Sequence, residues 1–322
     1  MAIVVTGGAG FIGSCVIREL NNNGIEEIYV VDNIGNTEKW INLRNKKYCE
    51  YIHKDLFLDM LEQFSGKITH IIHMGACSST TEKNFDYLYN NNLNFTKALW
   101  NFATKEQISF IYASSAATYG DGSMGFDDHM DIKSLMPLNG YGYSKQLFDL
   151  WAEKQMNTPK QYVGLKFFNV YGPNEYCKNS MASVVFHAFN KINENGEMGL
   201  FKSYNSKYKD GEQTRDFIYV KDICNVVSFM MNNEKVSGLF NLGTGQARTF
   251  YDLVTATFQA MGKDKKIEFI DMPEVLRAKY QYFTEAKMDK LRAAGYNKPF
   301  YSLENGIRDY VQNFLQEDYK IY

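Results

Sequence analysis

Tyr141 and Lys145 stand four residues apart in the run Pro137-Leu138-Asn139-Gly140-Tyr141-Gly142-Tyr143-Ser144-Lys145, a spacing that places both side chains on one face of a helix. A free phenol titrates at about 10 and is a poor base at neutral pH. An adjacent ammonium stabilises the phenolate and lets it take a hydroxyl proton, and Lys145 carries that charge. The pair alone has a plainer reading as part of a surface helix, since the chain holds 23 tyrosines and the spacing recurs by chance. The upstream run Ile111-Tyr112-Ala113-Ser114-Ser115-Ala116-Ala117-Thr118-Tyr119-Gly120 changes the balance. It sets hydroxyls directly after a strand, at the carboxyl edge of a sheet, where open α/β folds bind ligands.

A second constellation opens the chain. Thr6-Gly7-Gly8-Ala9-Gly10-Phe11-Ile12-Gly13 sits between a first strand and a first helix. Gly8 and Gly10 permit a tight turn and close approach to a pyrophosphate, Gly13 lets helix and strand pack closely, and the helix N-terminus faces the anion. A glycine turn without ligand is the alternative. Asp32 weakens that alternative, because a carboxylate roughly 20 residues after the glycines meets an adenosine ribose. Asp32 alone favours NAD. Lys39 and Lys54 follow, each either a partner for a 2'-phosphate or a solvated surface charge, so the residues leave NAD and NADP open.

The elements that must position these groups are legible as alternating strands and helices. Strands are expected at Ala2 to Thr6, Ile28 to Asp32, Tyr51 to His53, Thr69 to His73, Phe110 to Ala113 and Tyr162 to Phe168. Ile12, Val16, Ile17 and Leu20 mark one face of a helix ending near Asn23-Gly24. The apolar runs are near continuous, as in parallel strands covered on both faces. The fold class is therefore α/β, with a doubly wound parallel sheet. After Phe168 the alternation loosens, with helices expected near Lys221 to Met231 and Tyr251 to Met261. Residues 1–168 are read as a cofactor-binding domain and 169–322 as a mainly substrate-binding lobe. The boundary is soft, since parts of 215–245, such as Gly238 to Leu242, can return to the main sheet.

Composition narrows the function classes. With 45% hydrophobic and 22% charged residues and a net charge of −2, the chain reads as an ordinary globular protein with no global pull toward nucleic acid or anionic membrane. Any anionic ligand must be small. Five scattered cysteines without a C-x-x-C pair suggest neither a disulfide framework nor a zinc site. No metal is expected. Neither a signal peptide nor a membrane span is evident, and a cytoplasmic location is expected.

Thr6 to Gly13, Ser114 to Gly120, Tyr141 with Lys145, Phe168-Asn169-Val170-Tyr171-Gly172-Pro173 and Arg215-Asp216-Phe217-Ile218-Tyr219-Val220-Lys221-Asp222 together make the chain resemble the extended short-chain dehydrogenase/reductase family over nearly its full length. That resemblance implies a Rossmann-type fold with a smaller C-terminal substrate-binding lobe. It implies Ser115 as the third catalytic residue, Lys145 on the nicotinamide ribose, and Asn169 and Arg215 on the diphosphate of a sugar nucleotide. Dehydratases of the family carry a threonine and an acid pair where this chain has Ser115, Ala116 and Ala117. Without a carboxylate there, elimination of water lacks its general acid. Epimerisation, or simple oxidation and reduction, remains.

Within the family the chain is more similar to the ADP-heptose 6-epimerases of lipopolysaccharide core synthesis. The similarity rests on Gly75-Ala76-Cys77-Ser78-Ser79-Thr80-Thr81-Glu82, on Tyr171-Gly172-Pro173 followed by Lys178-Asn179-Ser180-Met181-Ala182-Ser183, and on Tyr280-Gln281 before Phe283-Thr284. It implies transient oxidation at C6 of ADP-D-glycero-β-D-manno-heptose and return of the hydride to the opposite face. It also implies NADP as cofactor, with NAD as the alternative, and a homo-oligomer, typically a pentamer. Two acid/bases flank C6 in such enzymes, and by resemblance these are Tyr141 and Lys178; without the match Lys178 reads as a flexible surface lysine. The implied cofactor contacts are Gly7, Gly10, Phe11, Ile12, Gly13, Asp32, Asn33, Lys39, Lys54, Met74, Gly75, Ala76, Cys77, Ser78, Asn91, Lys145, Val170 and Lys178. The implied substrate contacts are Ser115, Asn169, Ser180, His187, Phe201, Lys202, Ser203, Tyr204, Arg215 and Tyr280. The chain departs from the pattern in a longer segment around 203–214 and in Met74, which stands where an acidic residue is familiar.

Two rival readings stay open. A UDP-hexose 4-epimerase shares Ser115, Tyr141 and Lys145 but has no need of Lys178. A non-catalytic NADP-binding sensor keeps the fold and needs none of the three. Cys77 reads as a packing residue, and His53, His70 and His73 as satisfied strand or strand-end residues rather than metal ligands.

Overall fold

Near-continuous apolar runs at the expected strand positions assemble, in a computed structural model describing residues 2–277 and 280–322, into a seven-stranded sheet. Its strands are β1 (Ala2–Thr6), β2 (Ile28–Asp32), β3 (Glu50–His53), β4 (Ile68–His73), β5 (Ser109–Ser115), β6 (Gln161–Phe167) and β10 (Gly238–Leu242), in the order β10-β6-β5-β4-β1-β2-β3. Every pairing in it is parallel, the doubly wound Rossmann arrangement with a seventh strand at the edge. All five residues of β1 and all seven of β5 are buried, because helices cover both faces.

Among the helices are α1 (Phe11–Asn22), α2 (Lys54–Met60), α3 (Phe85–Leu88), α4 (Phe95–Glu106), α5 (Gly140–Glu153), α6 (Val184–Asn195), α7 (Val220–Asn232) and α8 (Phe250–Met261). The α1 face predicted from periodicity is the buried one: Val16, Ile17 and Leu20 lie in one apolar cluster with Ile223, Val226 and Val227 of α7. Each such side chain contributes about 1.5–3 kcal/mol by leaving water.

Reversal of strand order between β1 and β4 opens a crevice at the carboxyl ends of these strands. Beyond it, β7 (Asn169–Tyr171), β9 (Thr214–Tyr219) and β11 (Ala247–Thr249) make a three-stranded sheet, and β8 (Met198–Phe201) pairs with β12 (Ile267–Ile270). The sixth strand was expected through Phe168. Instead pairing with β5 and β10 stops at Phe167, and Asn169–Tyr171 leave to pair with β9. Gly238–Leu242 joins the main sheet, whereas β9 does not. Among the described residues no helix is long and apolar enough to cross a membrane.

Candidate active site

The glycine turn after β1 is shaped by contacts only glycine survives. Gly7 has φ +64, and a Cβ there would stand 2.5 Å from the Gly75 nitrogen; one at Gly13 would stand 2.1 Å from the Gly7 carbonyl oxygen. The turn and the loop after β4 thus touch backbone to backbone beside the α1 N-terminus. Asp32, at the end of β2, accepts hydrogen bonds from the amides of Ala9 (2.9 Å) and Asn33 (2.7 Å). It also pairs with Lys39 at 2.8 Å, while Lys39 donates to the Asn33 carbonyl at 2.7 Å. Lys54 pairs with Asp55 at 2.7 Å, and it borders, with Asn33, Lys39 and Asn91, a recess beside Asp32.

A cavity of about 580 Å³ runs from this corner inward. Gly7, Gly10, Phe11, Ile12, Gly13, Asp32 and Lys39 line it together with Met74 to Ser78, Tyr141, Lys145 and Lys178. Backbone amides at a helix N-terminus that can donate to a pyrophosphate and a carboxylate at the end of β2 that can accept from a ribose hydroxyl are what a dinucleotide site uses, so these residues fit a nicotinamide cofactor.

The loop from Met74 to Ser78 is held from behind. The helix preceding α4 takes one turn of π-helix at Tyr89–Asn94, and Asn92 there is buried. Its side chain accepts from the Cys77 amide at 2.8 Å and donates to the Cys77 carbonyl at 2.9 Å. His73 bridges Thr6 (2.5 Å) and Thr96 (2.8 Å), and burial brings its pKa down to about 3. It is therefore a neutral structural bridge at physiological pH.

Asn139 caps α5 by accepting from the Gly142 amide at 2.8 Å, and a Cβ at Gly142 would stand 2.7 Å from the Ala117 carbonyl oxygen. This close approach seats the start of α5 against the end of β5. Burial raises the Tyr141 pKa, and the neighbouring Ser115 hydroxyl opposes the rise. Lys145, one turn on, is buried and donates to the Ala113 carbonyl at 2.9 Å. Desolvation lowers its pKa to about 8, with Asp149 acting in the other direction. Asp149 is held by Tyr112 (3.0 Å), Ser114 (2.7 Å) and the buried ammonium of Lys166 (3.0 Å).

Lys178 borders the same cavity from a different element, the short helical turn Tyr176–Met181. Burial lowers its pKa, and Glu175 partly offsets this. Buried Glu175 fixes the loop by accepting from the Ser183 amide (2.6 Å), the Ser183 hydroxyl (2.7 Å) and the Gly172 amide (3.3 Å). Ser115, Tyr141, Asn169, Val170 and Lys178 border one inner cavity of about 370 Å³. A wider cleft of about 910 Å³ leads outward past Ser115, Asn169, Arg215 and Tyr280. The Arg215 guanidinium lies over the Tyr280 ring at 5.4 Å, and Phe201 meets that ring at 6.5 Å.

The remaining expected substrate contacts lie outside these cavities. Ser180 is exposed beside Asn179, and His187 sits half-buried in the first turn of α6. Lys202 and Tyr204 both bind Asp271, at 3.2 and 3.0 Å, and the Ser203 amide donates to Asp210 at 2.7 Å. The longer segment after β8 thus folds back on itself. Asn92, Asp149 and Glu175 escaped the sequence reading; a run of asparagines ahead of α4 was the one visible hint.

The model of the NAD dependent epimerase/dehydratase family matches residues 3–243. The chain is 51% identical over 327 residues to the ADP-L-glycero-D-manno-heptose-6-epimerase of Fusobacterium nucleatum subsp. nucleatum, covering 98% of each chain. It is 53% identical over 315 residues to the enzyme of that name from Nitratidesulfovibrio vulgaris (strain DP4), covering 97% of each. Among solved structures, the Helicobacter pylori ADP-L-glycero-D-manno-heptose-6-epimerase superposes with a TM-score of 0.81 at 28% identity, covering 97% of this chain and 95% of that one.

Proposed function

The chain belongs to the NAD dependent epimerase/dehydratase family, and from that membership we propose that it converts ADP-D-glycero-β-D-manno-heptose to ADP-L-glycero-β-D-manno-heptose, a step in making lipopolysaccharide core precursors. The observation that carries this reading is that Ser115, Tyr141 and Lys178 all border one inner cavity. Inverting one carbon through a ketone needs a proton acceptor on each side, because the hydroxyls of the two epimers point in opposite directions.

A nicotinamide cofactor, held by the glycine turn, Asp32 and the Met74–Ser78 loop, would supply the hydride chemistry at C6. The chain's own groups handle the protons. Tyr141 takes the hydroxyl proton of one epimer, its phenolate stabilised by the Lys145 ammonium, while Ser115 donates to the sugar oxygen. Lys178, with its charge disfavoured by burial, serves the other epimer. Ala116 and Ala117 offer no acid for water elimination. Arg215, Asn169 and Tyr280 in the outer cleft suit the nucleotide diphosphate.

NADP is our proposed cofactor. Lys39 beside Asp32 supports it, since that ammonium stands where a 2'-phosphate would need a counter-charge. Residues 1–168 then form most of the cofactor-binding domain and 169–322 most of the substrate lobe. By family resemblance the enzyme works in the cytoplasm as a homo-oligomer, typically a pentamer.

The discriminating test is Lys178→Met assayed on ADP-heptose and on UDP-hexoses. The expected result is a drop in 6-epimerisation of about 100-fold or more with no UDP-hexose 4-epimerisation in either protein. Robust 4-epimerisation that survives the substitution would support the rival reading.

A further inference from the structure

We infer that residues 319–322 form a strap that holds the Lys178 loop against the dinucleotide half of the enzyme, with Tyr319 and Tyr322 as positioning residues. The inference rests on the role proposed above for Lys178.

After the helical stretch ending at Leu315 the chain turns sharply. Asp318 and Tyr319 both adopt left-handed backbone, at φ 52 and 53, and the Lys320 amide donates to the Phe314 carbonyl at 3.0 Å. Two consecutive non-glycine residues in that region persist only where surrounding contacts enforce them. Those contacts are specific. The Tyr319 ring packs edge-on against Tyr176 at 5.6 Å, and its hydroxyl donates to Asn190 of α6 at 2.7 Å. Tyr176, two residues before Lys178, donates from its hydroxyl to the Lys320 carbonyl at 2.9 Å.

Tyr322 then reaches the other half. Its amide donates to Asn174 Oδ1 at 2.9 Å, and its ring lies 5.0 Å from the Lys221 ammonium and 6.0 Å from Phe314. Lys46 donates to its carbonyl, and Asn45 donates to the Ile321 carbonyl at 3.1 Å. Asn174 is itself an unusual residue. It has φ 74, it donates to Ser14 of α1 at 2.9 Å, and its carbonyl accepts from Asn42 at 3.2 Å. Asn42 also donates to the Ala9 carbonyl inside the glycine turn at 3.0 Å.

The strap therefore bears on the outer side of the segment 174–176 while Lys178, on the same loop, borders the cavity. Glu175 ties that loop to α6 and Asn174 ties it to α1; the strap adds ties to Asn45 and Lys46 and, from the Tyr322 hydroxyl, to Glu19 of α1 at 3.4 Å. Loosening it displaces Lys178 relative to a nicotinamide held by the other half and leaves Tyr141, anchored on α5, in place.

The test is rapid mixing of cofactor-loaded enzyme with each pure epimer, following reduced nicotinamide by absorbance. In the two-base site each epimer gives its proton to a different group, so Lys178→Met identifies the epimer that depends on Lys178. The double variant Tyr319→Ala/Tyr322→Ala is expected to slow reduction by that epimer about 10-fold to 100-fold and to leave the other within about twofold. Tyr319→Phe/Tyr322→Phe keeps the rings and is expected to restore the rate. Hydrogen exchange across 174–183 should rise in the alanine variant alone. If the double variant does not fold, Tyr322→Ala by itself should show the same asymmetry. Equal slowing of both epimers, or no slowing, overturns the strap. A wild-type enzyme reduced by neither epimer overturns the proposed function and this inference with it.

Discussion

The side-chain amide of Asn92 is hydrogen-bonded to Cys77 in both directions, accepting from its backbone amide at 2.8 Å and donating to its carbonyl at 2.9 Å. One buried side chain thus satisfies both main-chain polar groups in the middle of the loop that walls the cofactor cavity. Asn92→Ala leaves them without those partners, at a cost of about 1–3 kcal/mol each if the site stays dry. The expected outcome is cofactor affinity reduced by about tenfold or more, measured by nucleotide fluorescence titration. Unchanged affinity would show that the loop holds its shape without Asn92.

Buried Lys145 sets a limit on the alkaline side. Its pKa is lowered to about 8, chiefly by desolvation, and in the proposed mechanism its charged form is the one that stabilises a Tyr141 phenolate. As pH rises through about 8 the ammonium loses its proton, so kcat/KM should decline with a midpoint near that value. For Lys178 the proposed role as a base requires the neutral form, which burial favours, so activity on the epimer it serves should fall toward acid. A profile still rising well above pH 9 would contradict the role given to Lys145.

His73 makes a stability prediction that activity does not enter. Its folded pKa of about 3 lies below its ordinary value of 6.5, so the unfolded chain binds the proton first as pH falls. Stability is full above pH 6.5 and is lost on acidification, by about 2 kcal/mol between pH 6.5 and 5 from this group alone. His73→Gln should lower overall stability while flattening that part of the curve. Chemical denaturation at several pH values reads the slope directly, and an unaltered slope would sink the assignment.

Lys39 and Asp32 share one corner, 2.8 Å apart. Removing the lysine takes away a counter-charge for a 2'-phosphate and leaves Asp32 to repel it. Lys39→Ala is expected to weaken NADP binding by about 10-fold or more while NAD binding stays within about twofold. Equal losses for both nucleotides would argue that Lys39 is a surface partner of Asp32 and reads no phosphate.

Much of this was legible in the residues. The central strands β1 and β5 of the main sheet are buried on both faces, so their apolar runs stand out locally, and the glycine turn, Asp32 and the Tyr141–Lys145 pair carry recognisable spacing. What stayed hidden depends on partners distant in sequence. The break after Phe167 is decided by β9, nearly fifty residues on, which draws Asn169–Tyr171 into a different sheet. Glu175 is an ordinary acidic residue until folding buries it beneath Ser183. Asn92 matters only because a π-turn rotates it toward Cys77, and no local pattern announces that turn.

The central claim is that this site inverts C6 of an ADP-heptose by carrying one hydride from face to face. Proton NMR of ADP-D-glycero-β-D-manno-heptose incubated in deuterium oxide with cofactor-loaded enzyme tests it most directly. The expected result is a mixture of the two C6 epimers with no deuterium at C6, because the hydride does not exchange with solvent. An unchanged substrate, or deuterium appearing at C6, would contradict it.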